Sequence, residues 1–378
     1  MRPVTWILAA LLLALAGPAS AQTVGGPLQV RSGEVYTVDI HYAQQVDIGE
    51  TPIETTARQV FALTIVDAEA GLWRYMPILV EYDIPTGAPM LEAASQFNVP
   101  ALNQGLSALM RIATDIGFEC RVDAYGRCME MTNWPQWQAR VENFILALDA
   151  FAQLAPGMNA QPAAEGEAAK VGGDWATYRG PVLRGFGRMV DNFDARDAAS
   201  LMANIYMPAA VQGRTLTRRQ AVNVIDEFEA PFGAPPIRFT GTVRLERIDR
   251  RANTGTVVHR VAMDRASARA TAQGMVSFLS DALVAPLAAQ SPKGEAPPTP
   301  ETIMALIDGF LGELSLESTT TGTVDLATGM ARETTTEFAF SMPAPGAEAG
   351  AEPLTSRARM VTRVTPGAPD TPRLPRGD

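Results

Sequence analysis

The sequence predicts an α+β protein built on one large, curved antiparallel sheet, half-barrel-like and of roughly ten strands, with several amphipathic helices packed on it. Three observations carry this reading. Long stretches alternate apolar and polar side chains, the period of a strand with one buried face. Turn-forming clusters such as Asp67-Ala-Glu-Ala-Gly71, Asp123-Ala-Tyr-Gly126 and Ala327-Thr-Gly329 separate these stretches in pairs, so neighbours are expected to be antiparallel. Other segments repeat apolar residues at the helical period and need a surface to cover them.

In chain order, Val35 to Val46 sets Tyr36, Val38, Ile40 and Tyr42 on one face and Thr37, Asp39 and His41 on the other. Ala57 to Val66 follows with Phe61, Leu63 and Ile65 inward, and Leu72 to Tyr82 completes a meander. Leu102, Leu106, Leu109, Met110 and Ala113 predict a helix over about Ala101 to Ile116. A hairpin from Phe118 to Met131 then holds the two cysteines of the chain, Cys120 and Cys128, placed symmetrically about the Asp123-Ala-Tyr-Gly126 turn. Their spacing suits a cross-strand disulfide, which closes a short loop and contributes roughly 2 to 3 kcal/mol. There is no CxxC spacing and no nearby histidine to favour a redox or metal pair instead. Asn133 offers an N-cap oxygen, with Gln136 as its reciprocal partner, to a helix carrying Trp134, Trp137, Val141, Phe144, Ile145, Leu148 and Phe151 on one face.

Pro156 to Gly173, rich in Ala, Gly, Glu and Pro, reads as a flexible linker. It divides the expected sheet domain, 22–365, into 22–155 and 174–365, either as two halves or as parts of one sheet joined by a long loop. A helix is expected from Met189 to Tyr206, and strands at Arg219 to Glu229, Ile237 to Ile248 and Gly255 to Met263. Helices follow over Ala266 to Leu283 and after the Thr299-Pro300 start, the latter carrying Ile303, Leu306, Ile307 and Phe310. Strands at Leu314 to Leu326, Met330 to Met342 and Leu354 to Val364 complete the sheet, and the proline-rich 366–378 is expected to be a disordered tail. Thr-Gly-Thr-Val occurs at 240–243, 254–257 and 321–324. Thr and Val favour strands and Gly relieves curvature in a bent sheet, which explains the repetition better than duplication does.

The first 21 residues have a charged start, a short apolar run and an Ala19-Ser-Ala21 end, the pattern of a cleaved secretory signal. Export to the periplasm of a Gram-negative bacterium is the expected location, and the absence of a cysteine at the cleavage site argues against a lipid anchor. The formal charge of −10 makes nucleic acid and anionic membrane poor partners. No later apolar stretch is long enough to span a membrane. The helices, the polar outward faces and the Gly377-Asp378 end do not look like an outer-membrane barrel.

With this signal, the strand-turn-strand units such as Gly322-Thr-Val-Asp-Leu-Ala-Thr-Gly-Met330, and helices such as 134–154 that would plug the sheet, the chain resembles the half-barrel family of bacterial lipoprotein carriers and the secreted proteins related to it. The resemblance is one of pattern and transfers no site residues. It implies a carrier for an apolar or amphipathic ligand.

No constellation for catalysis meets its spacing tests. His41 falls on the polar face of its strand, and His259 shares parity with Val257, Val261 and Met263 as a core histidine would. Gly105-Leu-Ser107-Ala-Leu109 lacks the closing glycine of a nucleophile elbow. Asp191, Asp194 and Asp197 recur at helical spacing but without a calcium loop around them. The glycine-rich stretch holding Arg179, Arg184 and Arg188 is a candidate anion site, competing with an ordinary loop paired to neighbouring carboxylates. The expectation is therefore a non-enzymatic protein without cofactor or metal, binding a lipid or other apolar ligand between sheet and helices. Tyr36, Tyr42, Phe61, Phe239, Phe338 and Phe340 line that face unless they are simply core. The alternative is an envelope interaction protein that uses its Pro/Ala-rich loops and tail to bind another protein. Amino-terminal sequencing of the exported protein should read from Gln22; a periplasmic chain starting at Met1 would refute the signal assignment.

Overall fold

The computed structural model describes residues 24–48, 51–83, 116–139, 194–196, 198–199, 216–218, 220–228, 234–279, 314–342 and 354–369. Eleven strands form one antiparallel sheet: β1 (Val35–Ile48), β2 (Thr51–Asp67), β3 (Leu72–Asp83), β4 (Phe118–Val122), β5 (Cys128–Met131), β6 (Ala221–Phe228), β7 (Ile237–Asp249), β8 (Thr254–Met263), β9 (Ser315–Asp325), β10 (Ala331–Met342) and β11 (Leu354–Pro366). Two helices are labelled here, α1 (134–139) and α2 (Arg265–Leu279). The order across the sheet is β5-β4-β3-β2-β1-β11-β10-β9-β8-β7-β6. Two meanders therefore run outward from the centre, joined where the first strand pairs with the last, from Tyr36↔Pro366 to Asp47↔Thr355. Strands from before and after 156–173 share this sheet; that segment, like the helices expected at 101–116 and after Pro300, lies outside the described residues.

The alternation read from the sequence decides which side is buried. Tyr36, Val38 and Ile40 of β1 face the core beside Phe61, Leu63 and Ile65 of β2, and each such buried side chain is worth roughly 1.5 to 3 kcal/mol. The core has two apolar clusters. One gathers β1 to β4 with Met131 and Trp137, and the other gathers β6 to β9 with Val24 and Leu216.

The short hairpin turns β2–β3, β4–β5, β7–β8 and β9–β10 fall along one edge of the sheet, as the strand directions require. Each begins with an aspartate, Asp67, Asp123, Asp249 or Asp325, whose carboxylate accepts two backbone N–H groups of its own turn. The N-terminal segment 24–34 runs across this edge. Leu28 N–H donates to Ala124 O of the β4–β5 turn (2.9 Å), and Gln29 N–H donates to Thr328 O of the β9–β10 turn (2.8 Å). In a flat sheet those two turns would stand roughly 29 Å apart at the usual strand spacing. Adjacent residues cannot bridge that gap, so the sheet is curled strongly at this end, although β5 and β6 do not pair and it stays open. Gly126 takes a φ of 81°, and a Cβ there would lie 2.8 Å from both Leu28 and Trp73.

One local expectation is corrected. Asn133 does not form a capping box: its Oδ1 accepts Glu119 N–H (3.0 Å) and its Nδ2 donates to Gly117 O (3.1 Å). β5 ends at Met131, opposite Cys120, so the next polar groups of β4 have no strand partner, and the Asn133 amide continues the ladder in its place. Trp137 Nε1 also donates to Gly117 O (2.6 Å), and its ring stacks on Phe118 at 4.5 Å. At the other terminus, order runs into the stretch expected to be a tail: β11 includes Pro366, and Gly367 N–H donates to Val35 O.

The three Thr-Gly-Thr-Val copies lie on adjacent strands. The β8 and β9 copies pair with each other, so that Gly255 faces Val324 and Val257 faces Gly322. The β7 copy is the demanding one, because a Cβ on Gly241 would overlap the Arg260 carbonyl of β8. Gly322 has only ordinary contact distances around it. Gly241→Ala should therefore lose about 2 kcal/mol or more of unfolding free energy, while Gly322→Ala should stay within about 1 kcal/mol of the parent. Denaturant titration of both variants checks this, and equal losses would refute the close-approach role of Gly241.

Candidate functional site

The two faces of the sheet differ in charge. Away from the hairpin turns, every arginine in a paired strand position among the described residues lies on the outer face, from Arg58 on β2 to Arg260 on β8 and Arg363 on β11. They pair there with carboxylates: Arg58 with Asp39 (2.9 Å), Arg363 with Glu333 (2.9 Å), Arg238 with Glu227 (2.9 Å) and Arg121 with Glu130 (3.0 Å). Such exposed pairs contribute at most about 1 kcal/mol each. Burial works to raise the pKa of Asp39, but hydrogen bonds and charge from Arg58 and His41 outweigh it and hold the carboxyl below its ordinary value. His41 Nε2 stands 3.1 Å from Asp39 and is nearly half exposed, as its outward parity predicts.

The inner face carries hydroxyls and aromatics between the two apolar clusters. Thr334, Thr336, Ser356 and Thr362 are buried there. Thr320 Oγ1 and Thr336 Oγ1 are hydrogen-bonded at 3.0 Å across β9 and β10. Tyr42 OH donates to Gln44 Oε1 (2.9 Å), and Gln44 Nε2 donates to Ser356 Oγ (3.1 Å) across β1 and β11. Around them Tyr42, Ser318, Thr320, Phe338, Phe340 and Met360 are only half buried. Tyr42, Ser318, Phe338, Phe340 and Ser356 sit in the half of the sheet away from the short turns and the 24–34 segment, while Thr334 and Thr362 lie nearer those turns.

One charged pair is set into this face. Asp226 of β6 is, away from the turns, the one carboxylate in inner register among the described residues, and His259 Nε2 of β8 lies 2.8 Å from its Oδ2. His259 stands opposite Val243 and Asp226 opposite Phe239, and the inner position between those two on β7 is Gly241. No side chain separates the pair, so they meet across an intervening strand. The contact has ion-pair distance but not hydrogen-bond alignment: His259 is 5 % exposed, and its buried Nε2 has no aligned acceptor.

All six predicted ligand-face residues are in inner register, but they separate into two kinds. Tyr36, Phe61 and Phe239 are core. Tyr36 donates to Glu34 Oε2 (2.8 Å), and burial, reinforced by that bond and by the Glu34 charge, pushes its pKa up to about 12. Phe61 packs near Phe118 at 6.3 Å, and Phe239 meets Phe228 edge-on at 4.9 Å. Tyr42, Phe338 and Phe340 remain half exposed beside the hydroxyls. Cys120 and Cys128 form the disulfide with a Cα separation of 5.4 Å, although a bulge sets Cys120 opposite Met131 and Cys128 opposite Val122. Arg179, Arg184 and Arg188 lie outside the described residues, as do Asp191 and Asp197. Asp194 opens a helical turn and accepts Arg196 N–H at 2.7 Å. Sequence reasoning missed Asp226; its even parity with Val222, Val224 and Phe228 was the available signal.

Among the described residues no cluster of His, Cys, Asp or Glu could hold a metal ion, and no helix is long and apolar enough to cross a membrane. The fold and face define an open, curled antiparallel sheet whose inner side is lined by apolar, aromatic and hydroxyl-bearing residues and holds one charged pair, Asp226 with His259. No family model and no curated protein matches the chain. A solved structure of lipovitellin, titled for its lipid–protein interactions, aligns with 92 % of this chain and 27 % of its own, at 8 % identity and a TM-score of 0.41. The chain thus spans about a quarter of that structure, and a likeness at this level carries no functional weight.

Replacing Thr336 by Val should strand the Thr320 hydroxyl and cost about 1 kcal/mol, whereas the double change Thr320→Val/Thr336→Val should recover most of it. Additive losses in that double-mutant cycle would show that the two hydroxyls are not coupled.

Proposed function

We propose that the protein binds an apolar or amphipathic ligand on the inner face of its sheet and acts as a periplasmic holder or carrier. The observation that carries this is the segregation of charge. Apart from Asp226 and His259, the inner strand positions are apolar, aromatic, hydroxyl-bearing or, at Gln44 and Gln59, amide-bearing, while the arginines and their partner carboxylates face out. Half-exposed aromatics on a concave surface leave apolar area in water at roughly 25 cal/mol per Å². A ligand that covers them removes that cost and takes its orientation from the few polar groups nearby. The curled end is stitched shut by 24–34, so entry belongs to the opposite end, where Tyr42, Phe338 and Phe340 lie. The signal-like residues 1–21 support the periplasmic location.

The test is native mass spectrometry of protein purified from the periplasm without detergent, followed by organic extraction, together with titration by the uncharged fluorophore N-phenyl-1-naphthylamine. A stoichiometric apolar adduct and saturable uptake of the fluorophore are expected, the latter weakened about tenfold by Phe338→Ala/Phe340→Ala. A clean apo mass with no saturable uptake would overturn the proposal and direct attention to a protein partner.

A further inference from the structure

Resting on the inner-face reading above, we infer that the ligand presents a single apolar chain of about twelve carbons, lying endwise along β10 and β11 and stopped at its inner end by Thr336 and Thr362. These two strands carry an apolar strip, Phe338 and Phe340 on β10 beside Ala358 and Met360 on β11, all in inner register and half buried. Phe338 stands opposite Ala358, and Met360 opposite Thr336. Among the described residues Phe338 and Phe340 belong to neither core cluster, while Met360 rests on the first cluster at the inner end of the strip. Polar side chains flank the strip on both sides: Tyr42 OH and Gln44, hydrogen-bonded to each other on β1, and Ser318 and Thr320 on β9. Its two columns are one strand interval apart, roughly 5 Å, the width of one extended chain and not of two. A chain that keeps to apolar contacts therefore runs along the strands. Lying across them it would cover the Ser318 hydroxyl and the Gln44 amide without offering either a partner.

The strip has a definite end. In the next row toward the short turns, the inner positions of five adjacent strands are all sealed: Ile40 on β1, Thr362 on β11, Thr334 on β10, Gly322 on β9 and Val257 on β8. The four side chains in that row are no more than 6 % exposed. On β10 the seal starts one row earlier, at buried Thr336, whose hydroxyl is bonded to Thr320. From Phe340 to Thr336 the strip advances by four residues, which is roughly 14 Å of strand. A fully extended backbone gains roughly 1.2 Å per bond, so an alkyl chain with the same zigzag covers that length in about twelve bonds. Methylenes beyond this number find no inner surface to cover and remain at the mouth.

The experiment measures competition of alkyl maltosides, from octyl to hexadecyl and each below its micelle concentration, against N-phenyl-1-naphthylamine on the full-length mature protein. The head group is constant and uncharged, so only chain length varies. Affinity should rise about fourfold per added methylene as far as dodecyl maltoside. It should then level, leaving hexadecyl maltoside within about tenfold of dodecyl, where an unbroken rise would give a gain of about two-hundredfold. A larger gain than tenfold, or no rise between octyl and dodecyl, would overturn the inference. Ala358→Leu places a branched side chain midway along the strip and should move the levelling point down to octyl maltoside, with a loss of about tenfold or more for dodecyl. An unmoved levelling point in the folded variant would also overturn it. If the fluorophore and the maltosides bind with no break in chain length, only this inference fails. If neither binds, the inner-face reading fails with it. The parent protein's chain-length series decides the matter even where Ala358→Leu does not fold.

Discussion

The pairing of β1 with β11 is the constraint on which everything else rests. It runs over twelve residue pairs and joins the two ends of the chain at the centre of the sheet. Without it there would be two separate meanders, each with two edges and an incomplete face. With it, inner positions contributed from Tyr36 to Val364 form one continuous surface. The half-buried inner residues Tyr42, Met360 and Phe338 flank this seam, so the candidate face does not exist until residues more than three hundred positions apart have met. Such long-range pairing closes large loops before it gains contacts, which places this fold among those expected to form slowly.

Curling then gives the surface an inside and an outside. The 24–34 segment ties the β4–β5 turn to the β9–β10 turn, although five strands separate β4 from β9 in sheet order. The aspartates that open the turns make this edge regular. Asp325 is representative: burial alone would raise its pKa, but Arg332 and the N–H groups of Ala327 and Thr328 hold it below the ordinary value. β3, β8 and β10 end, and β4, β9 and β11 begin, at the opposite end of the sheet. Short, hydrogen-bonded turns thus gather at one end only among the described residues.

Polar groups inside an apolar face need partners, and most of those here have them. Thr320 has Thr336, and Gln44 bridges Tyr42 and Ser356. Asn133 completes a ladder that β5 is too short to finish. Against that background His259 stands out, because its buried Nε2 lies at ion-pair distance from Asp226 without hydrogen-bond alignment. Gly241 permits their approach, and the same glycine lets β7 and β8 come close.

The sequence by itself determined the strands, their turns and their two faces, because period-two alternation and Asp or Gly at turns are local properties. Val35, Leu72, Ile237, Leu354 and their neighbours begin strands where the pattern says they should, and Cys120 with Cys128 closes the expected hairpin. Parity also placed Tyr42, Phe338 and Phe340 on the inner side. Only the tertiary structure decided strand order, the meeting of β1 with β11, and which inner aromatics are sealed in core clusters. It alone revealed the pairing of Asp226 with His259. Each of these depends on register between strands distant in sequence and on how far the sheet curls, and no local pattern in a single chain encodes either quantity.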